Sequence, residues 1–180
     1  MSSAVLDPFG RAINAQWGFN LIIHASIIEL AEASGIILLG LNEYSPFKAH
    51  TFGTGELIIE ATATVPKPIY LTVGGPATID GGFGTLKTLR ADFLDELGHN
   101  VAVTQLADLR SVAALNLDLL KKNLYQISIK VLVDVENTLC GNEGVVHIFG
   151  PQKVVHSYQL QIFEDLIQHW GDLGGLLVAH

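Results

Sequence analysis

The 180 residues carry 18 acidic against 10 basic side chains, a formal net charge of −8, and 49% of them are hydrophobic. That balance and the scatter of the basic residues argue against nucleic acid as a partner, and no apolar run approaches the ~18 residues of a membrane span. A lone cysteine, Cys140, excludes an internal disulfide.

The length suits one domain, expected over residues 1–180, with a sizeable core. Met1-Ser2-Ser3-Ala4 lacks the basic and apolar regions of a signal peptide, so cytoplasm is the expected compartment. A mean hydropathy of +0.39 fits either a richly buried α/β core or an exposed apolar face.

In chain order, residues 11–19 alternate in character after the turn signal Asp7-Pro8-Phe9-Gly10 and predict a half-buried strand, paired with a second over Leu21 to Ala25. Ser26-Ile27-Ile28-Glu29 matches a capping box for a short helix through Ala33, ended by Gly35. The apolar run 36–39 reads as buried, and 42–52 as loop. Gly53-Thr54-Gly55 opens a helix to Ala61 with Thr54 as cap; its glycines make either a second anion site or an ordinary turn.

Pro66 and Pro68 precede an apolar strand to Val73. Next comes Gly74-Gly75-Pro76-Ala77-Thr78-Ile79-Asp80-Gly81-Gly82-Phe83-Gly84, a glycine-rich loop leading into a helix. Such a loop is either a phosphate or carboxylate cradle or a tight connection whose glycines serve packing. Residues 91–95 predict a strand, 96–100 a turn and 104–111 a short helix. Ile127 to Val133 reads as a strand that delivers Asp134 and Asn137 into a long loop reaching Val155, where carboxylates suit ligand binding in an α/β sheet. Ser157 is the expected cap of a last helix with an apolar stripe at Ile162, Phe163, Leu166, Ile167 and Trp170; residues 171–180 receive no assignment.

The histidines (His24, His50, His99, His147, His156, His169 and His180) show no metal-ligand spacing, and neither a P-loop nor a nucleophile elbow occurs. The cations available to an anionic ligand are Lys48, Lys87 and Lys153.

Four ordered motifs carry a resemblance. Residues 51–58, Gly74 to Gly82, Asp134-Val135-Glu136-Asn137-Thr138-Leu139-Cys140-Gly141, and Phe149-Gly150-Pro151-Gln152-Lys153 resemble successive signatures of the type I glycerate kinase family. Residues 7–11, 15–18 and 28–35 resemble the family's text upstream. The similarity covers about residues 5 to 170, the middle of family members roughly twice as long. It lacks their N-terminal Asp-Ser-Phe-Lys and Asp-Gly-Gly-Glu-Gly segments and their glycine-rich C-terminal ones.

The resemblance implies an α/β fold like the family's inserted second domain, a mixed sheet with flanking helices. It implies transfer of the γ-phosphoryl group of ATP to a hydroxyl of D-glycerate, with Mg²⁺; the family segments lacking here predict a kinase complete only with another, complementing chain or with sequence not present here, and an apolar face that once covered a second domain predicts a homo-oligomer. By carry-over, Asp80 and Asp134 are the catalytic candidates. Gly53, Thr54, Gly55, Gly74, Gly75, Thr78, Gly81, Gly82, Asn137 and Lys153 are the candidates for substrate and phosphate. The local alternative has Asp80 capping the next helix and Asp134 holding its loop. Pro76 and Ile79 replace the family's usual serine and asparagine, each with loss of a polar group. A non-catalytic binding module with the same fold is the alternative function.

Overall fold

A computed structural model describes residues 1–40, 43–65, 68–153 and 155–178. Asn42, Pro66, Val154 and the last two residues of the unassigned tail lie outside them.

Strands β1 (Ser2–Leu6) and β2 (Ala12–Asn20) form an antiparallel hairpin. Its turn is held by the Asp7 carboxylate, which accepts the N–H groups of Phe9 and Arg11 at 2.8 and 2.9 Å. The alternation in β2 buries Ala15 and Trp17, as its period requires.

Strand β3 (Ala25–Glu29) overturns the expected helix at Ser26 and displaces the expected strand at 21–25. It pairs antiparallel with β2 and parallel with β4 (Ile69–Thr72). Two ladders satisfy its backbone groups on both edges, which a capping box cannot match. Residues 21–24 become the connecting turn, in which Asn20 Oδ1 accepts the N–H groups of Ile22 and Ile23. Leu21, Ile22 and Ile23 stand exposed there, Ile22 at 89%.

Helix α1 covers only Ala31–Ser34, and Gly35 ends it as expected. The run 36–39 is not uniformly buried: a single 3₁₀ turn leaves Ile37 84% exposed. Helix α2 spans Phe52–Thr64, so Thr54 lies inside it and does not cap it. The Thr54 hydroxyl instead meets Ser34 Oγ at 2.8 Å.

Next come α3 (Phe83–Thr88), β5 (Asp92–Leu94), a 3₁₀ turn at Leu106–Ser111, β6 (Ala114–Asn116), α4 (Asp118–Asn123) and β7 (Ile129–Leu132). The expected long loop contains helix α5 (Val145–Phe149) and a 3₁₀ turn at Pro151–Lys153. Helix α6 (Leu160–Val178) continues through most of the tail. Ser157 does not cap it. A 3₁₀ turn, Ser157–Gln159, leads in, with the Gln159 side chain accepting the His156 N–H at 3.0 Å. Phe163, Leu166, Ile167 and Trp170 are buried on α6 while Ile162 faces solvent.

The main sheet has the order β1-β2-β3-β4-β7, antiparallel over its first two pairings and parallel over its last two. β5 and β6 pair separately. This is the expected α/β class with a mixed sheet and flanking helices.

Buried side chains form two clusters. One lies between the sheet and α2, around Trp17, Ile28, Leu57, Ile58 and Ile69; the other lies beneath α6, around Phe83, Phe93, Leu106 and Phe163. Leu120 packs on both. Among the described residues no helix is long and apolar enough to cross a membrane.

Candidate functional site

The parallel strands β3, β4 and β7 end on the same side of the sheet. Beyond their carboxyl ends opens a cleft of about 490 Å³, lined by Glu29, Ala31, Thr72, Val73, Gly74, Gly75, Leu132, Val133 and Asp134. The crevice outside the carboxyl ends of parallel strands is where open α/β sheets bind ligands. Gly74, Gly75 and Asp134 are the sequence candidates that the fold brings together there.

The glycine loop is pinned from behind. Gly75 O accepts the Ile36 N–H at 3.0 Å, and Ala77 N donates to Ser34 O at 2.8 Å. Pro76 sits opposite Gly35 between these two bonds, where its lack of an N–H costs nothing. Ile79 points into the apolar cluster beneath α6, 5% exposed. Neither replacement lines the cleft, so neither removes a polar group from it.

Gly74 and Gly75 have open space where a Cβ would stand, and Gly75 has φ +59°. Neither N–H reaches a protein acceptor among the described residues. Gly53, Gly55 and Gly81 do the opposite. A Cβ at Gly53 would lie 1.8 Å from Leu6 O, one at Gly55 2.6 Å from Thr88 Cβ, and one at Gly81 2.6 Å from Trp170 Cδ1. These three glycines allow close packing of α2 on β1, α2 on α3, and the loop on α6. Gly82 (φ +81°) starts α3 in the left-handed region that glycine tolerates best.

Asp80 is 2% exposed and lies outside the cleft. Its Oδ2 accepts the Thr51 N–H and hydroxyl, both at 2.9 Å, and the Gly84 N–H at 3.4 Å; its Oδ1 accepts the Gly82 N–H at 3.0 Å. One carboxylate thus ties the start of α2 to the first turn of α3 from two residues before the N-cap position, which Gly82 occupies. Burial pushes this carboxyl above the usual carboxylate range, against the opposing pull of the donated hydrogen bonds. Thr78 is buried beside it, donating to Ala49 O at 2.8 Å and accepting the Asp80 N–H at 3.0 Å.

The remaining candidates lie elsewhere. Asn137 is exposed and donates from Nδ2 to Glu143 O at 3.2 Å. Lys153 is 5% exposed, with Nζ 5.3 Å from the centroid of the Phe149 ring and no carboxylate partner among the described residues. Burial pushes its amine down to about 8. Neither residue lines the cleft, and among the described residues no cation does.

Glu29 was not legible as a site residue because its tetrapeptide matches a helix start. Recognising Ile27-Ile28 as a β-branched pair bounded by the exposed turn would have placed Glu29 at a strand's carboxyl end.

The chain matches the glycerate kinase family over residues 1–175. It is 31% identical over 173 residues to a glycerate kinase of Bacillus subtilis (strain 168), covering 96% of this chain and 45% of the relative. It is 31% identical over 169 residues to a glycerate 2-kinase of Escherichia coli (strain K12), covering 94% and 44%. The crystal structure of a protein assigned as glycerate kinase 2 of Salmonella typhimurium LT2 superimposes with a TM-score of 0.87 at 32% identity, covering 96% of this chain and 46% of that one. The chain thus spans less than half the length of these relatives.

Proposed function

The chain belongs to the glycerate kinase family, and from that premise we propose that it supplies the acceptor side of a phosphotransferase moving the γ-phosphoryl group of ATP to a hydroxyl of D-glycerate. The observation that carries this reading is the cleft at the carboxyl ends of β3, β4 and β7, where Gly74, Gly75 and Asp134 converge.

Each residue has a chemical part. The unengaged N–H groups of Gly74 and Gly75 can receive an anionic oxygen at close range because no side chain intervenes. Asp134 is exposed, with no hydrogen-bond or ion-pair partner among the described residues. Its hard oxygens suit Mg²⁺, which binds through one or two carboxylates together with waters and substrate phosphates. Asp80 does not fit that group, since four donated hydrogen bonds already occupy its oxygens. Asp134 would hold the ion, which when bound offsets phosphate charge. Asp80 is a positioning residue that holds the loop behind the cleft.

Phosphoryl transfer depends on positioned cations and donors. Among the described residues no cation lines the cleft, which favours a second reading, a non-catalytic D-glycerate-binding module with the same fold. A coupled ADP-release assay with D-glycerate and Mg·ATP separates the two. Turnover lost on Asp134→Asn supports the kinase; no turnover at any protein concentration, with D-glycerate still bound, supports the module.

A further inference from the structure

Glu29 enters the cleft from the side opposite Asp134. It ends β3 and pairs in register with Thr72, which in turn pairs with Leu132. Two strand spacings place the Cα atoms of Glu29 and Leu132 about 10 Å apart, with Asp134 two residues further along. A three-carbon ligand fits between these walls.

The Glu29 side chain is exposed, and its carboxylate has no hydrogen-bond or ion-pair partner among the described residues. Two nearby glutamates are used structurally: Glu32 Oε2 accepts the Gln16 N–H at 2.9 Å and Glu56 Oε2 accepts the Leu6 N–H at 2.7 Å. An ionised carboxylate only accepts hydrogen bonds. The cleft therefore offers a carboxylate acceptor on each wall, Glu29 at the end of β3 and Asp134 beyond β7, and the N–H donors of Gly74 and Gly75 between them.

We infer that Glu29 is a specificity-determining residue of this cleft, accepting hydrogen bonds from the hydroxyl end of a small hydroxy acid and turning the ligand's own carboxylate toward Gly74 and Gly75. The inference rests on reading the cleft as the acceptor site. Like-charge repulsion sets the ligand's direction, and a hydroxyl donating to a carboxylate makes a strong bond.

The test is isothermal titration of the full chain with D-glycerate and with two analogues that each lack one hydroxyl, D-lactate and 3-hydroxypropionate. Wild type is expected to prefer D-glycerate over at least one analogue by about tenfold or more, the scale of one hydrogen bond to a charged group. Glu29→Ala should bring that ratio near one while leaving affinity for the weaker analogue within about twofold, and Glu29→Gln, whose amide oxygen still accepts but carries no charge, and Glu29→Asp should each keep part of the preference. Circular dichroism confirms that the variants fold.

Unchanged D-glycerate affinity in Glu29→Ala overturns the inference and leaves the proposed function standing. So does an equal loss for all three ligands, which marks a structural role. No D-glycerate binding by wild type overturns both, and the ADP-release assay reads the proposed function independently.

Discussion

Replacing Asp80 with alanine tests whether this residue acts through structure. The substitution removes the acceptor of three well-formed hydrogen bonds, from the Thr51 N–H, the Thr51 hydroxyl and the Gly82 N–H, and of one longer bond from the Gly84 N–H. A buried donor left without a partner costs about 1–3 kcal/mol. The Thr51 hydroxyl can rotate to another acceptor and the cavity can admit water. A net loss of about 3–5 kcal/mol therefore follows, a large share of a domain's typical stability of about 5–15 kcal/mol. Thr51→Val should reproduce about 1–2 kcal/mol of it, since that hydroxyl also accepts the Thr85 N–H at 3.0 Å. The assay is urea unfolding followed by circular dichroism, with the midpoint shift at constant slope read as lost stability. If Asp80→Ala unfolds within about 1 kcal/mol of wild type yet abolishes D-glycerate binding or turnover, the structural assignment is refuted and Asp80 acts at the ligand.

Gly81→Ala should cost about 2 kcal/mol or more, because its φ of +60° resists a side chain and the new Cβ meets Trp170 Cδ1. Tryptophan fluorescence should report the displaced ring, and wild-type stability would refute the packing role. Gly74→Ala, with open space at its Cβ, should leave unfolding stability within about 0.5 kcal/mol of wild type while weakening ligand binding; a stability loss without a binding loss would contradict this. Lys153→Met should stabilise the protein near neutral pH by up to about 3 kcal/mol, because the charged amine is buried without a carboxylate partner among the described residues. The folded chain releases this proton near pH 8, below the ordinary 10.5. Wild-type stability should therefore rise with pH between those values, and the advantage of the variant should fade over the same window. A flat comparison across pH 8 to 10.5 would show that the amine is solvated.

Short-range pattern carried much of this protein. The alternation in β2, the apolar run of β7, the glycine loop between β4 and α3, and the stripe of α6 are all set by side-chain period and turn chemistry within a dozen residues. The order of the motifs at residues 51–58, 74–82, 134–141 and 149–153 likewise needs no coordinates, and it agrees with the family match over residues 1–175.

Local pattern misled where pairing partners came from far along the chain. Ser26 to Glu29 has the letters of a helix start but lies between β2 and β4, and two hydrogen-bonded ladders outweigh one capping box. The glycines divide for the same reason. Gly53, Gly55 and Gly81 look like ligand-loop glycines in the sequence, yet each is required by an atom 33 to 89 residues away: Leu6 O, Thr88 Cβ and Trp170 Cδ1. Gly74 and Gly75 have no such neighbour and face the cleft. Residue type and spacing select where a backbone can turn; the distant segments that fold against it decide whether the freed space holds protein or ligand. Asp80 accordingly became a buried tie between two helices, and Glu29 a carboxylate at the cleft.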